Sequence, residues 1–192
     1  SCIFGPVIAY EVFDIVCNGG LGSAELTVSG GTEPYDMEDL SGLPAGTYST
    51  TVIDSNGCET LVEFTISEPD ALVASATVTD VTCNGGNDGS ATLTVSGGTE
   101  PYDMEDLSGL SAGTYSTTVI DSNGCETSVE FTISEPDALV ASAIVIDATC
   151  NGGLGSVELT VSGGTAPYDM EDLSGLPAGT YSTTVFDANG CE

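Results

Sequence analysis

The stretch SGGTEPYDMEDLSGLSAGTYSTTVIDSNGCETS at residues 96–128 repeats, almost letter for letter, the stretch at residues 29–61, and it begins a third time at Ser162. Residues 29–76 and 96–143 differ at two of 48 positions, Pro44/Ser111 and Leu61/Ser128. Near-identical segments of one chain obey the same physics, so the chain must fold as an array of like units rather than around one unique core. Cys17, Cys83 and Cys150 each open C-N-G-G, at spacings of 66 and 67 residues. Cys58, Cys125 and Cys191 each close N-G-C, at spacings of 67 and 66. The one-residue difference arises from NGGLGS against NGGNDGS, a Gly-rich turn of the kind that tolerates insertion.

The seam between copies is SEPDALVAS, at residues 67–75 and 134–142. Proline cannot donate to a β ladder and so ends a strand, which places boundaries near Pro69 and Pro136. The expected modules are residues 1–69, 70–136 and 137–192. The first 16 residues align in register with residues 67–82 but diverge in sequence, and the third copy stops before the counterpart of ETSVEFTISEP. The chain reads as a slice of a longer array.

Within a module the apolar residues recur with period two, which predicts strands. Ala91, Leu93 and Val95 share one face of ATLTV. Val129, Phe131 and Ile133 alternate with Glu130, Thr132 and Ser134. TYSTTVI is β-branched and aromatic, and SGG, PAG and SNG supply turn residues. No stretch shows a helical period with caps. Strands in repeats of about 66 residues predict a small antiparallel sandwich per module.

The chain carries 30 Asp plus Glu and no Lys, Arg or His, a formal charge of −30. Nucleic-acid binding depends on Lys and Arg neutralising phosphates, so this surface excludes nucleic acid and anionic membrane surfaces as partners. A hydrophobic content of 40% in a regular alternation argues against a disordered acidic tail. There is no apolar run of about 18 residues to cross a membrane, and residues 1–10 lack the basic start of a signal peptide.

Two cysteines per module, about 41 residues apart, predict one disulfide per module. The expected pairs are Cys17–Cys58, Cys83–Cys125 and Cys150–Cys191, with Cys2 left over, to pair elsewhere or stay free. A module this small buries a marginal core, and closing such a loop would stabilise it by roughly 4 kcal/mol. A zinc site is disfavoured, since His and the C-x-x-C spacing are both absent.

Catalytic chemistry finds little support. The adjacent carboxylates Glu38/Asp39, Glu105/Asp106 and Glu171/Asp172 would face opposite ways on a strand, whereas a glycosidase needs two across a cleft. They read as a solvated acidic edge that discourages strand-to-strand association. Without His there is no nucleophilic triad. The turns at residues 54–57, 121–124 and 187–190 match only half of a calcium loop, and they read as Asx-type turns feeding a cysteine. No cofactor is expected beyond weak Ca²⁺ at these acidic turns or at the seam carboxylates Glu68, Asp70, Glu135 and Asp137. Tyr35, Tyr102 and Tyr168 read as half-buried corner residues, with a sugar-stacking platform as the alternative.

The ordered set CNGGNDGSATLTVSGGTEPY, LSAGTY and TVIDSNGC resembles the SprB repeat of giant surface adhesins of Bacteroidetes. The resemblance covers nearly the whole chain, loosely over residues 1–16. It implies tandem immunoglobulin-like β-sandwiches in a secreted, cell-surface protein exported by the type IX system and linked to adhesion and gliding motility, with no catalytic role. PYDMEDLSGL at residues 101–110 is shorter than the family's usual stretch by roughly one hairpin and lacks its Trp. The function so implied is a stalk or multivalent adhesin. Its partners would be neighbouring repeats and, outside the chain, polysaccharide or other surfaces. A polymerising subunit of an extracellular filament or S-layer-like coat is the first alternative, and glycan-binding modules of a secreted enzyme the second.

Overall fold

The computed structural model describes residues 5–192, so Cys2 lies outside the described residues. In the first repeat, β1 (Val7–Phe13) pairs antiparallel with β2 (Ser23–Ser29), Val7 facing Ser29 and Phe13 facing Ser23. β3 (Gly46–Ile53) pairs antiparallel with β4 (Glu59–Ile66), Gly46 facing Ile66 and Ile53 facing Glu59. The second repeat forms a three-stranded sheet of β5 (Val73–Thr79), β6 (Gly89–Ser96) and β7 (Ser108–Leu110), and a hairpin of β8 (Gly113–Ile120) and β9 (Glu126–Ile133). The third contributes β10 (Val140–Ile146) paired with β11 (Ser156–Ser162). Among the described residues there is no helix, and the protein is all-β, its small antiparallel sheets forming tandem β-sandwich modules.

The period-two pattern decides which side chains meet, because successive residues of a strand point to opposite faces. On β4 the inward set Val62, Phe64 and Ile66 is buried with Ile15, Ala24 and Leu40, and Leu26, Leu43 and Tyr48 pack against them. Tyr48 lies directly opposite Phe64 in the β3–β4 register, and their rings stack at 5.7 Å. The second repeat reproduces the pair in Tyr115 and Phe131, also at 5.7 Å. Gly22 belongs to this core by close approach: a Cβ there would meet Ile66 Cγ2 at 2.7 Å and the Phe13 carbonyl at 2.6 Å. Gly89 stands in the same relation to Ile133 Cγ2 at 2.7 Å.

The third repeat shows how far strand propensity depends on a partner. TYSTTV at residues 180–185 is identical to six residues of β3 and of β8, yet none of it is strand, and the next residue, Phe186, makes only an isolated bridge to Asp169. Among the described residues no strand pairs with it as β4 pairs with β3 or β9 with β8. Val145, Ile146, Ala148, Val157, Leu176 and Tyr181 line an open trough of about 210 Å³.

The chain divides into two compact units whose limits cross the sequence repeats. One comprises the residues up to Ser75 with Val95–Glu105 and Thr118–Ser128, which are the SGG and NGC turns of the second repeat. The other comprises Ala76–Thr94, Asp106–Thr117 and Val129–Glu192.

Candidate functional site

Each unit contains one joint, where the C-N-G-G turn and the seam of one repeat meet the SGG and D-x-N-G-C turns of the next. The C-N-G-G turn closes with the Gly20 amide donating to the Cys17 carbonyl at 2.9 Å, and Gly19 sits at φ +76°, a conformation that favours glycine. The same turn is latched onto the end of β4. Asn18 Nδ2 donates to the Pro69 carbonyl at 3.0 Å, and the Gly19 amide donates to the Glu68 carboxylate at 2.8 Å. The second repeat copies this with Asn84 to Pro136 at 3.0 Å and Gly85 to Glu135 at 2.6 Å. Asp14 and Asp80 complete the latch by accepting the Ser67 and Ser134 amides.

The opposing turn is organised by one buried carboxylate. Asp121, 4% exposed, accepts the Asn123 and Cys125 amides at Oδ1 and the Thr99 amide at Oδ2, at 2.8–2.9 Å. Asp54 and Asp187 do the same for Asn56, Cys58 and Thr32, and for Asn189, Cys191 and Thr165. The Cys58 amide does most to hold Asp54 below the ordinary carboxyl range, ahead of an opposing effect of burial, with the Asn56 and Thr32 amides adding to it. At Asp121 and Asp187 burial is the largest influence and pulls upward, but four backbone amides together outweigh it, so both pKa values are also lowered.

A lowered folded pKa contributes stability that is present above the unfolded value, 3.8, and is lost as pH falls through the folded one. Asp121→Asn is therefore expected to melt below the parent chain at pH 7, and the gap should narrow at pH 3. A gap that stayed constant across that range would show that the carboxylate charge does not hold the turn.

The seam backbone lies directly on the SGG turn. The Gly98 amide donates to the Asp70 carbonyl at 2.8 Å, and Gly164 to Asp137 likewise. A Cβ on Gly97 would fall 2.0 Å from the Ala71 carbonyl oxygen, and on Gly163 1.9 Å from that of Ala138, so no other residue allows this approach. Tyr102 and Tyr168, half-buried, donate their hydroxyls to the Gly97 and Gly163 carbonyls at 2.7 Å, as Tyr35 does to Gly30. These are the contacts of corner residues.

The cysteines correct the sequence expectation. Cys17 is bonded to Cys125 and Cys83 to Cys191, with Cα–Cα distances of 5.6 and 5.7 Å and a sequence separation of 108 in both cases. The within-module pairs Cys17–Cys58, Cys83–Cys125 and Cys150–Cys191 do not form. The physical reason is strand length. The C-N-G-G cysteine follows the end of β1 and the N-G-C cysteine follows the end of β3, at opposite ends of a module. Seven residues of strand set them roughly 20 Å apart, beyond the reach of a disulfide. Cys58 is also disulfide-bonded, and Cys150 is free and exposed.

The other residues singled out by sequence have local duties. Glu38 accepts a hydrogen bond from Thr50 at 3.2 Å, while Asp39 and Asp172 accept the amides of Ser41 and Ser174. Among the described residues no group of three or more Cys, Asp or Glu is placed to hold a metal ion, and the seam carboxylates Glu68 and Glu135 are engaged by the latch. No helix among the described residues is long and apolar enough to cross a membrane.

Residues 75–103 and 142–169 match the SprB repeat family. SprB repeats occur in cell-surface proteins and form a structural rather than an enzymatic family. No curated protein and no solved structure matches the chain.

Proposed function

We propose, from the match of residues 75–103 and 142–169 to the SprB repeat family, that the chain is a stalk segment of a long extracellular surface protein, acting through length and copy number as a spacer or multivalent adhesin. The observation that carries this reading is the joint itself, built twice from the same residues one period apart. The spacing that relates one repeat to the next is thereby set by glycine contacts, hydrogen bonds and a covalent bond. A chain organised around one reaction would have no use for the duplication. The expected modules 1–69, 70–136 and 137–192 serve in this reading as interchangeable lengths.

Deleting residues 70–136 and joining the ends removes Cys83 and Cys125 and brings Cys17 and Cys191 into the relation of a joint. Non-reducing peptide mapping should then find Cys17 bonded to Cys191. Attachment of arrays of different copy number to a surface should weaken gradually as copies are removed, as multivalent contacts do, or persist if the array only spaces. Outright loss of attachment on removal of one copy would locate a unique site there and overturn the stalk reading.

A further inference from the structure

The two disulfides cross. The Cys17–Cys125 bond brackets Cys83, and the Cys83–Cys191 bond brackets Cys125, so the two loops interlock along the sequence. We propose that this crossing makes the array a covalent ladder, a tether that stays one molecule with a bounded length when its repeats unfold or its backbone is cut. The role as a tether rests on the stalk reading; the covalent connectivity does not.

Connectivity alone gives the first consequence. The four cysteines divide the chain between Cys17 and Cys191 into three intervals. A cut in any one interval leaves fragments joined by at least one disulfide, and so do two cuts in different intervals. With one cut per interval, only cuts in all three separate the molecule, and then into two pieces, one held by each bond. Disulfides closed within repeats would behave otherwise, since one cut at a seam, between an N-G-C cysteine and the following C-N-G-G cysteine, would divide the array. Exposed loops are where such nicks fall, and the absence of Lys and Arg leaves trypsin-like proteases no site anywhere in the chain.

The second consequence concerns tension. From Cys17 to Cys191 the backbone runs 174 residues, yet the route across to Cys125, back to Cys83 and across to Cys191 uses 42. An extended residue spans about 3.5 Å. An oxidised, fully unfolded array therefore stops lengthening at roughly a quarter of the distance the reduced chain reaches. Pulling that unfolds every sheet still meets a covalent stop, and the sheets can re-form when the load falls.

Both consequences are testable in the full chain carrying Cys2→Ser, Cys58→Ser and Cys150→Ser, which leaves the two crossing bonds alone. A recognition site for a sequence-specific protease inserted after Asp70 places one cut between the first and second repeats. After complete cleavage the chain should run as one species without reductant and as two fragments with dithiothreitol. In single-molecule stretching between handles at the two ends, the oxidised chain should reach about one third of the length of the reduced chain, the ends outside the bonds included. Cut chains that separate without reductant, or equal limiting lengths with and without dithiothreitol, would overturn the ladder. The stalk reading would survive that result, because it is tested by copy number.

Discussion

Replacing Cys17 and Cys125 together by serine is expected to destabilise the first unit by about 4 kcal/mol. The bond closes a separation of 108 residues, and a loop of about 100 residues corresponds to roughly 4.7 kcal/mol of denatured-state entropy, an upper figure. Chemical denaturation of the parent and the double variant measures it. The single variant Cys17→Ser reports on connectivity, because it should expose a thiol at Cys125 and leave Cys58 protected. Alkylation and peptide mapping distinguish the two positions. A free thiol at Cys58 would restore the within-module pairing and remove the joint.

Phe64→Ala is expected to cost about 3–5 kcal/mol, as large aromatic truncations in cores do. Phe64 is 4% exposed, stacks on Tyr48 and touches the ring of Tyr10 at a centroid distance of 6.3 Å. A module of this size holds only roughly 3–10 kcal/mol in all, so the first repeat should lose most of its stability and retain mainly what the disulfides constrain. Leu61, three residues earlier on the same strand, is 61% exposed, and the second repeat carries Ser128 at that position. Leu61→Ser should therefore stay within about 0.5 kcal/mol of the parent. Equal losses from the two variants would mean that β4 does not present alternate residues to a core.

That contrast is written in the letters of the sequence. Period-two alternation in ETLVEFTI names Val62, Phe64 and Ile66 as inward and Leu61, Glu63 and Thr65 as outward, and the buried cluster follows it. The same holds for the array and its period. The turns also follow local chemistry: D-x-N-G-C closes around its own aspartate, and the glycine of C-N-G-G takes a positive φ. Less legible was the reason for other invariants of the repeat. Glu68 and Glu135 accept the amides of Gly19 and Gly85 from about 50 residues away, a contact no local pattern announces.

What the sequence determined by itself was whatever depends on neighbours along the chain: strand pattern, turn chemistry, repeat length, charge and the number of cysteines. What only the tertiary structure decided was which distant groups meet. TYSTTV is a strand at residues 47–52 and 114–119 and not at 180–185, because a β ladder needs a partner whose presence the segment does not encode. Cysteine spacing counted two per repeat and suggested closure within it. The length of β1 and β3 carries those two sulfurs to opposite ends of a module, and each bonds across a joint because a disulfide obeys distance in space, not separation in sequence.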